Sequence, residues 1–128
     1  MTGHPRQRST NVLMGRWRIV EMDLWEQHDV ELVAPGFIAF GRNHKGSFGF
    51  IAVQGEIDWR GAPRDGRPGV EFTWEGFDEG DPVTGRGWAT AEDDGWLRGH
   101  IYFHLGDDSG FRAERMDESR SPGKTCGS

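Results

Sequence analysis

The chain has 128 residues, a formal net charge of −6 at pH 7 and only 34% hydrophobic residues. This length accommodates one domain with one core. The acidic balance argues against a phosphate-backbone partner, so we expect no nucleic-acid partner. No apolar run approaches the length of about 18 residues that suggests a membrane span, so we expect no membrane partner.

Aromatic side chains carry much of the hydrophobic content, with six Trp, eight Phe and one Tyr. Each large ring can bury roughly 150–250 Å², so a few residues supply much of the core. The one cysteine, Cys126, cannot form an internal disulfide, and the N-terminus has no apolar signal-peptide core. These features predict a cytoplasmic protein of bacterial type.

Short apolar runs separated by Gly, Asp and Pro predict a domain built from strands over residues 12–116. The polar segments 1–11 and 117–128 are predicted to be disordered tails. The clearest strand has Val70, Phe72 and Trp74 alternating with polar residues at a period of two. The eight predicted strands are Arg16–Met22, Phe37–Phe40, Ser47–Val53, Glu56–Arg60, Val70–Glu75, Gly87–Ala91, Trp96–Leu105 and Phe111–Met116.

Two connections have distinctive patterns. Asp23 and Glu26 form a capping-box pattern that predicts a short helix after the first strand, ending at Ala34-Pro35-Gly36. Residues 76–86 are predicted to form a long acidic loop. Eight strands with mostly short turns predict an all-β, up-and-down antiparallel barrel, with a two-layer sandwich as the alternative.

The first strand carries Gly15-x-Trp17, which resembles the first-strand signature of the calycin group: lipocalins, fatty-acid-binding proteins and avidins. The helix directly after this strand is similar to the fatty-acid-binding branch, and the eight strands are similar to lipocalins or avidins. The resemblance implies a calycin-like barrel from a bacterial family. Arg112-Ala113-Glu114 stands where fatty-acid-binding proteins have an Arg-x-Tyr carboxylate clamp, so a fatty-acid ligand is not implied.

Closure of such a barrel would bring the last strand beside the first. Arg115 would then lie over Trp17 as a structural cation–π pair, worth about 0.5–2 kcal/mol. This arrangement is similar to the closed end of a lipocalin, where an Arg covers the signature Trp. We therefore expect Trp17 and Arg115 to have a structural role.

An up-and-down barrel places alternate connections at the same end. One end would collect acidic residues, whereas the other would carry Arg42, Lys45, Arg60, Arg64 and Arg67. Acidic turns can simply keep an aromatic-rich barrel in solution, or they can attract a cationic ligand or a divalent metal. The acidic residues are Asp23, Glu26, Asp29, Glu31, Glu75, Asp78, Glu79, Asp81, Asp107 and Asp108.

The leading functional hypothesis is binding of a small, partly apolar molecule, neutral or cationic, at this acidic mouth, with no cofactor. Trp25, Trp74 and Trp88 would provide apolar contact, with Trp74 and Trp88 expected on the inward faces of their strands. Glu21, expected on the Trp17/Ile19 face, would act as a polar anchor. The full set of expected ligand-binding residues is Glu21, Trp25, Trp74, Glu75, Asp78, Trp88 and His104.

Two alternatives belong to other classes. A cofactor-free cyclase, isomerase or hydratase would use Glu21, or His104 beside Asp107, for proton transfer. A homodimer would instead bury the face of the seventh strand that carries Trp96 and Tyr102.

No metal site is predicted from these patterns. His100 and His104 share one strand face but lie roughly 13 Å apart, too far to bind one ion. Residues 78–81 lack the spacing of an EF-hand.

Overall fold

The computed structural model describes residues 12–116, which form a closed barrel of eight antiparallel strands in chain order. Strand β8 pairs back to β1, so the predicted barrel is confirmed and the sandwich alternative is wrong. The predicted tails and Cys126 lie outside the described residues. The strands are β1 (Gly15–Met22), β2 (Phe37–Phe40), β3 (Lys45–Phe50), β4 (Val53–Gly61), β5 (Gly69–Asp78), β6 (Asp81–Ala91), β7 (Leu97–Phe103) and β8 (Asp108–Arg115).

Large side chains on β5 pack over glycines of β6 inside the barrel. Phe72 lies opposite Gly87, and Trp74 lies opposite Gly85. A Cβ at Gly87 would come within 2.6 Å of the Phe72 ring, so the missing side chain makes room for the aromatic one. Alternation along the predicted strands predicts an inward-facing set of side chains, and the members of that set that are buried are Trp17, Ile19, Ile57, Trp59, Val70, Phe72, Trp74, Leu97, Ile101 and Phe111.

The predicted helix is confirmed only as a single turn, α1 (Gln27–Val30), and the predicted capping box is wrong. The helix begins after Glu26, whose side chain makes no capping hydrogen bond. The N–H of Asp23 donates to the carbonyl of Gly110, and that of Leu24 donates to the Ser109 hydroxyl. The chain therefore stays tied to β8 where the helix was expected to begin. No described helix is long and apolar enough to cross a membrane.

The long acidic loop predicted over 76–86 is wrong, because β5 and β6 continue to a two-residue turn. Glu79 and Gly80, the central residues of that turn, have φ values of 55° and 90°. Positive φ at both positions is typical of a type I′ hairpin turn. The glycines in this stretch reflect packing rather than loop structure, since a Cβ at Gly76 would lie 1.8 Å from the Gln54 carbonyl oxygen.

A β-bulge in β1 changes which side chains face inward. The β1–β8 register shifts between Ile19 and Glu21. One extra residue interrupts the alternation of a strand, so the residues after the bulge exchange faces. Met22 is buried and Glu21 is exposed on the outer wall, so the expected inward position of Glu21 is wrong.

One end of the barrel, called the closed end below, is plugged by residues 12–14 and by Trp17. Leu13 is fully buried, and its carbonyl accepts a hydrogen bond from the Trp17 indole N–H. The Arg115 guanidinium lies 4.1 Å from the centre of the Trp17 ring and donates to the Val12 and Met14 carbonyls. Partial desolvation there lowers the pKa of Arg115. The predicted pairing of Trp17 with Arg115 is confirmed.

Candidate functional site

The opposite end of the barrel, called the mouth, is formed by the connections 23–36, 51–52, 79–80 and 104–107. These four segments contain no Lys or Arg. Apart from Glu31, which contacts Arg18 at 2.6 Å, the carboxylates of this end have no contacting Lys or Arg among residues 12–116, and they give it a negative potential that attracts cations. Its acidic residues, including those at the adjoining strand ends, are Asp23, Glu26, Asp29, Glu31, Asp78, Glu79, Asp81, Asp107 and Asp108.

The mouth also carries most of the exposed large apolar side chains of residues 12–116. Val33 is 66% exposed, Phe77 57% and Leu105 94%. Leu24 and Leu32 are also exposed at this end, whereas Val12 is the exposed one at the closed end. Apolar surface beside uncompensated carboxylates suits a partner that is both apolar and cationic.

Trp25 covers the opening of the barrel. Its ring lies 5.5 Å from that of Phe50 and 6.4 Å from that of Phe103, centre to centre, and its side chain is half-buried. Phe103 in turn contacts Trp74 edge-on at 5.1 Å. The structure thus links Trp25 to Trp74, two of the expected ligand-binding residues, through one intervening ring.

Trp74 has an unusual feature for a core residue. Only 3% of it is exposed, and its indole N–H has no hydrogen-bond partner among the described residues. By contrast, the indole N–H of Trp59 lies within hydrogen-bonding distance of the Gly41 and Lys45 carbonyls. An unpaired buried donor costs about 1–3 kcal/mol.

Asp78 takes the rim position that was expected for Glu21. It follows Trp74 and Gly76 on the inward face of β5 and is half-buried. Its neighbours across the sheet are Val53 and Asp81. A carboxylate therefore does face the inside of the mouth, but β5 provides it instead of β1.

Three of the expected ligand-binding residues lie on the outer wall. Glu21 contacts Arg112 at 3.4 Å, and Glu75 faces outward from β5. Trp88 pairs with Glu71 on the outer face of β6, where the Arg64 guanidinium lies 3.9 Å from its ring centre. Its expected inward position is wrong because Gly87 and Ala89 provide the inward positions of that strand.

The residues expected to transfer protons are not brought together as predicted. His104 is exposed at the β7–β8 connection, where its backbone N–H donates to the Thr84 carbonyl. An imidazole–carboxylate contact does occur on the outer wall, where His100 Nε2 lies 2.5 Å from Asp108 Oδ2. This pair was missed because the offset between β7 and β8 depends on the turn between them.

One group of side chains among residues 12–116 has metal-ligand spacing. Glu26, His28 and Asp29, around α1, present ligand atoms within 4.8 Å of one another. All three are exposed, and exposed acidic groups commonly occur without an ion. We assign no metal to them.

Two grooves run along the outer wall beside the mouth. The first, of about 980 Å³, lies between residues 33–36 and the β5–β6 hairpin. The second, of about 880 Å³, crosses β4 to β7. Both are lined by Glu56, Glu75 and Thr84. Sequence reasoning missed Glu56, although its alternation with Ile57 would have placed it on the outer face.

Comparisons with known proteins found no match to this chain among protein-family models or curated proteins. The architecture itself, an eight-stranded closed antiparallel barrel, is compatible with a calycin-like fold.

Proposed function

We propose that this protein is a non-enzymatic binding barrel that takes a small, partly apolar cation at its mouth. The observation that carries the proposal is the shared location of exposed apolar side chains and uncompensated carboxylates. They lie at the same end of the barrel, whereas residues 12–14 plug the other end.

Two features of the mouth support binding of a molecule with an apolar part. Trp25 presents a half-buried ring over Phe50 and Phe103, and Leu24 is exposed beside it. Covering such surface contributes about 25 cal/mol per Å². The indole N–H of Trp74, which has no partner among residues 12–116, is a donor available to an acceptor on a ligand.

We further propose that the barrel is calycin-like, bacterial and cytoplasmic. The short helix after β1 and the Arg115–Trp17 stack support the calycin-like part. The single cysteine in the sequence is in keeping with a reducing compartment.

The placement of the alternative residues favours binding over catalysis. Glu21 and His104 are both exposed, and a proton-transferring group normally works in a site that excludes water. The homodimer hypothesis needs the rings of Trp96 and Tyr102 to pack against a second copy. Each ring is already covered by a guanidinium of the same chain, Trp96 by Arg112 at 4.6 Å and Tyr102 by Arg86 at 4.4 Å. Both alternatives stay hypotheses.

The test is a calorimetric titration of the full chain with a panel of aromatic and aliphatic amines, each beside its neutral analogue. We expect amines to bind more tightly than neutral analogues, and Trp25→Ala to weaken binding several-fold. Equal affinity for amines and neutral analogues would contradict the cationic part of the proposal. Absence of binding across the panel would contradict the function as a whole.

A further inference from the structure

The 980 Å³ groove beside the mouth is mainly apolar. Its lining includes Val33, Phe37, Phe77 and Pro82. Val33 and Phe77 are both more than half exposed, so residues 12–116 leave their apolar surface largely uncovered. The volume lies within the range of about 300–1,000 Å³ that is usual for small-molecule sites.

A pair of carboxylates stands at the border of this groove. Glu56 of β4 and Glu75 of β5 are directly opposite each other on the outer wall. Ser47 and Thr84 flank them in the same cross-strand row. Like charges directly opposite each other destabilise a sheet, so this pairing opposes folding unless a cation joins it.

The neighbouring cations leave the pair without a contacting partner. Lys45 lies opposite Asp58 in the next row. Arg86 stacks on Tyr102 at 4.4 Å, and Arg16, at another part of the groove, stacks on Phe37 at 4.0 Å. Within residues 12–116, neither Glu56 nor Glu75 makes a side-chain hydrogen bond or salt bridge.

We propose that this groove binds a hydrophobic amine whose ammonium group lies between Glu56 and Glu75. An ammonium has three N–H donors and can reach both carboxylates at once. The aliphatic or aromatic body of the ligand would cover Phe37, Phe77 and Pro82. The proposal rests on the proposed function and adds a site on the outer wall beside the mouth, separate from Trp25, which does not line the groove.

Charge complementarity favours this occupant over a second copy of the chain. Two copies joined symmetrically through this face would bring two Glu56–Glu75 pairs together. Four facing carboxylates would repel each other, since neither Glu56 nor Glu75 has a contacting cation among residues 12–116.

The test is an NMR titration of the full chain with n-octylamine below its micelle concentration, with n-octanol as the neutral control. We expect octylamine to shift the amide signals of Gln54, Phe77 and Pro82-flanking residues and to bind at least about tenfold more tightly than octanol. The E56Q/E75Q double variant should lose this preference. The D65N/E71Q variant removes the same charge outside both grooves and should retain it.

Each outcome separates the groove from the wider function. Equal binding of octylamine and octanol, or unchanged binding to E56Q/E75Q, overturns the groove proposal. If E56Q/E75Q still binds octylamine but Trp25→Ala does not, the ligand lies over the barrel opening and the proposed function stands. If neither octylamine nor any amine of the panel binds, both proposals fall. F77A, which removes an exposed ring, should weaken octylamine binding about fivefold without unfolding the barrel.

Discussion

The two ends of the barrel use the same residue types in opposite ways. At the closed end, the indole of Trp17 is buried, its N–H is hydrogen-bonded to Leu13, and a guanidinium covers its face. At the mouth, Trp25 is only half-buried, and the indole N–H of nearby Trp74 has no partner within the described residues 12–116. One end satisfies its contacts internally, while the other leaves contacts for another molecule.

The closed end therefore contributes mainly to stability, and the mouth is the end suited to binding. A tryptophan whose ring is buried and whose N–H is hydrogen-bonded offers a ligand neither apolar surface nor a free donor. An exposed ring beside uncompensated carboxylates gains both apolar burial and charge neutralisation. Substitutions at the two ends test whether stability and binding are separated in this way.

Trp17→Ala and Trp25→Ala form a matched pair at opposite ends. We expect Trp17→Ala to lower the free energy of unfolding by about 3–5 kcal/mol, because it leaves a cavity and removes the surface on which Arg115 stacks. Trp25→Ala should cost about 1 kcal/mol, since its ring is half exposed. Urea unfolding monitored by circular dichroism measures both. Equal costs would show that the mouth is packed as firmly as the closed end.

Arg115→Met tests whether the guanidinium stabilises the closed end. It removes the stack on Trp17 and two hydrogen bonds to carbonyls, at an expected cost of about 1–2 kcal/mol. The control is Arg112→Met, because Arg112 also stacks on an indole, that of Trp96 at 4.6 Å, but its polar partner is the Glu21 carboxylate on the outer wall. That control should cost less than about 1 kcal/mol. A cost for Arg115→Met no larger than the control would refute a structural role for the pair.

Charge neutralisation at the mouth should raise stability. The D78N/D107N double variant is expected to melt roughly 2–4 °C higher, corresponding to about 0.5 kcal/mol of relieved repulsion. A divalent cation or polyamine should raise the melting temperature of the wild-type chain more than NaCl of matched ionic strength does, and the double variant should lose that difference. The D65N/E71Q variant should keep it. Equal shifts with NaCl and with the multivalent cation would indicate a solubilising rim only.

Glu31, at the end of α1, should produce the smallest effect. Hydrogen bonds from Gln27 and Arg18 hold its pKa below the ordinary value of 4.5. A carboxyl group whose pKa is lowered by folding stabilises the folded state at pH values above its ordinary pKa. This contribution is lost as the pH falls through the lowered pKa. Glu31→Gln should therefore lower the melting temperature slightly at pH 7 and by less at pH 3.

A double-mutant cycle with Arg18→Gln checks the cause of that effect. At pH 7 the decrease in melting temperature of the double variant should be smaller than the sum of the two single decreases, because each substitution removes the same contact. Additive losses would show that the contact contributes nothing.

Local patterns predicted most of the fold, and the misplaced residues share a cause. The alternation around Val70, Phe72 and Trp74 and the closing Arg115–Trp17 pair follow from residue type and strand order. Glu21 and Trp88 were assigned to the wrong face because side chains alternate at every position, so an extra residue or a one-residue offset reverses them. The β5–β6 hairpin was not predicted because glycines, such as Gly76 and Gly85 in this stretch, are also common in loops.

Residue patterns alone predict an aromatic-rich, all-β barrel with acidic connections, because periodicity and turn residues are local properties. Which side chains meet is a property of the closed barrel. The contact of Trp25 with Phe50, the opposition of Glu56 and Glu75, and the missing partner of Trp74 all depend on strand register. Register is set by turn geometry, bulges and the fit of rings over glycines, which are satisfied together only when the barrel closes.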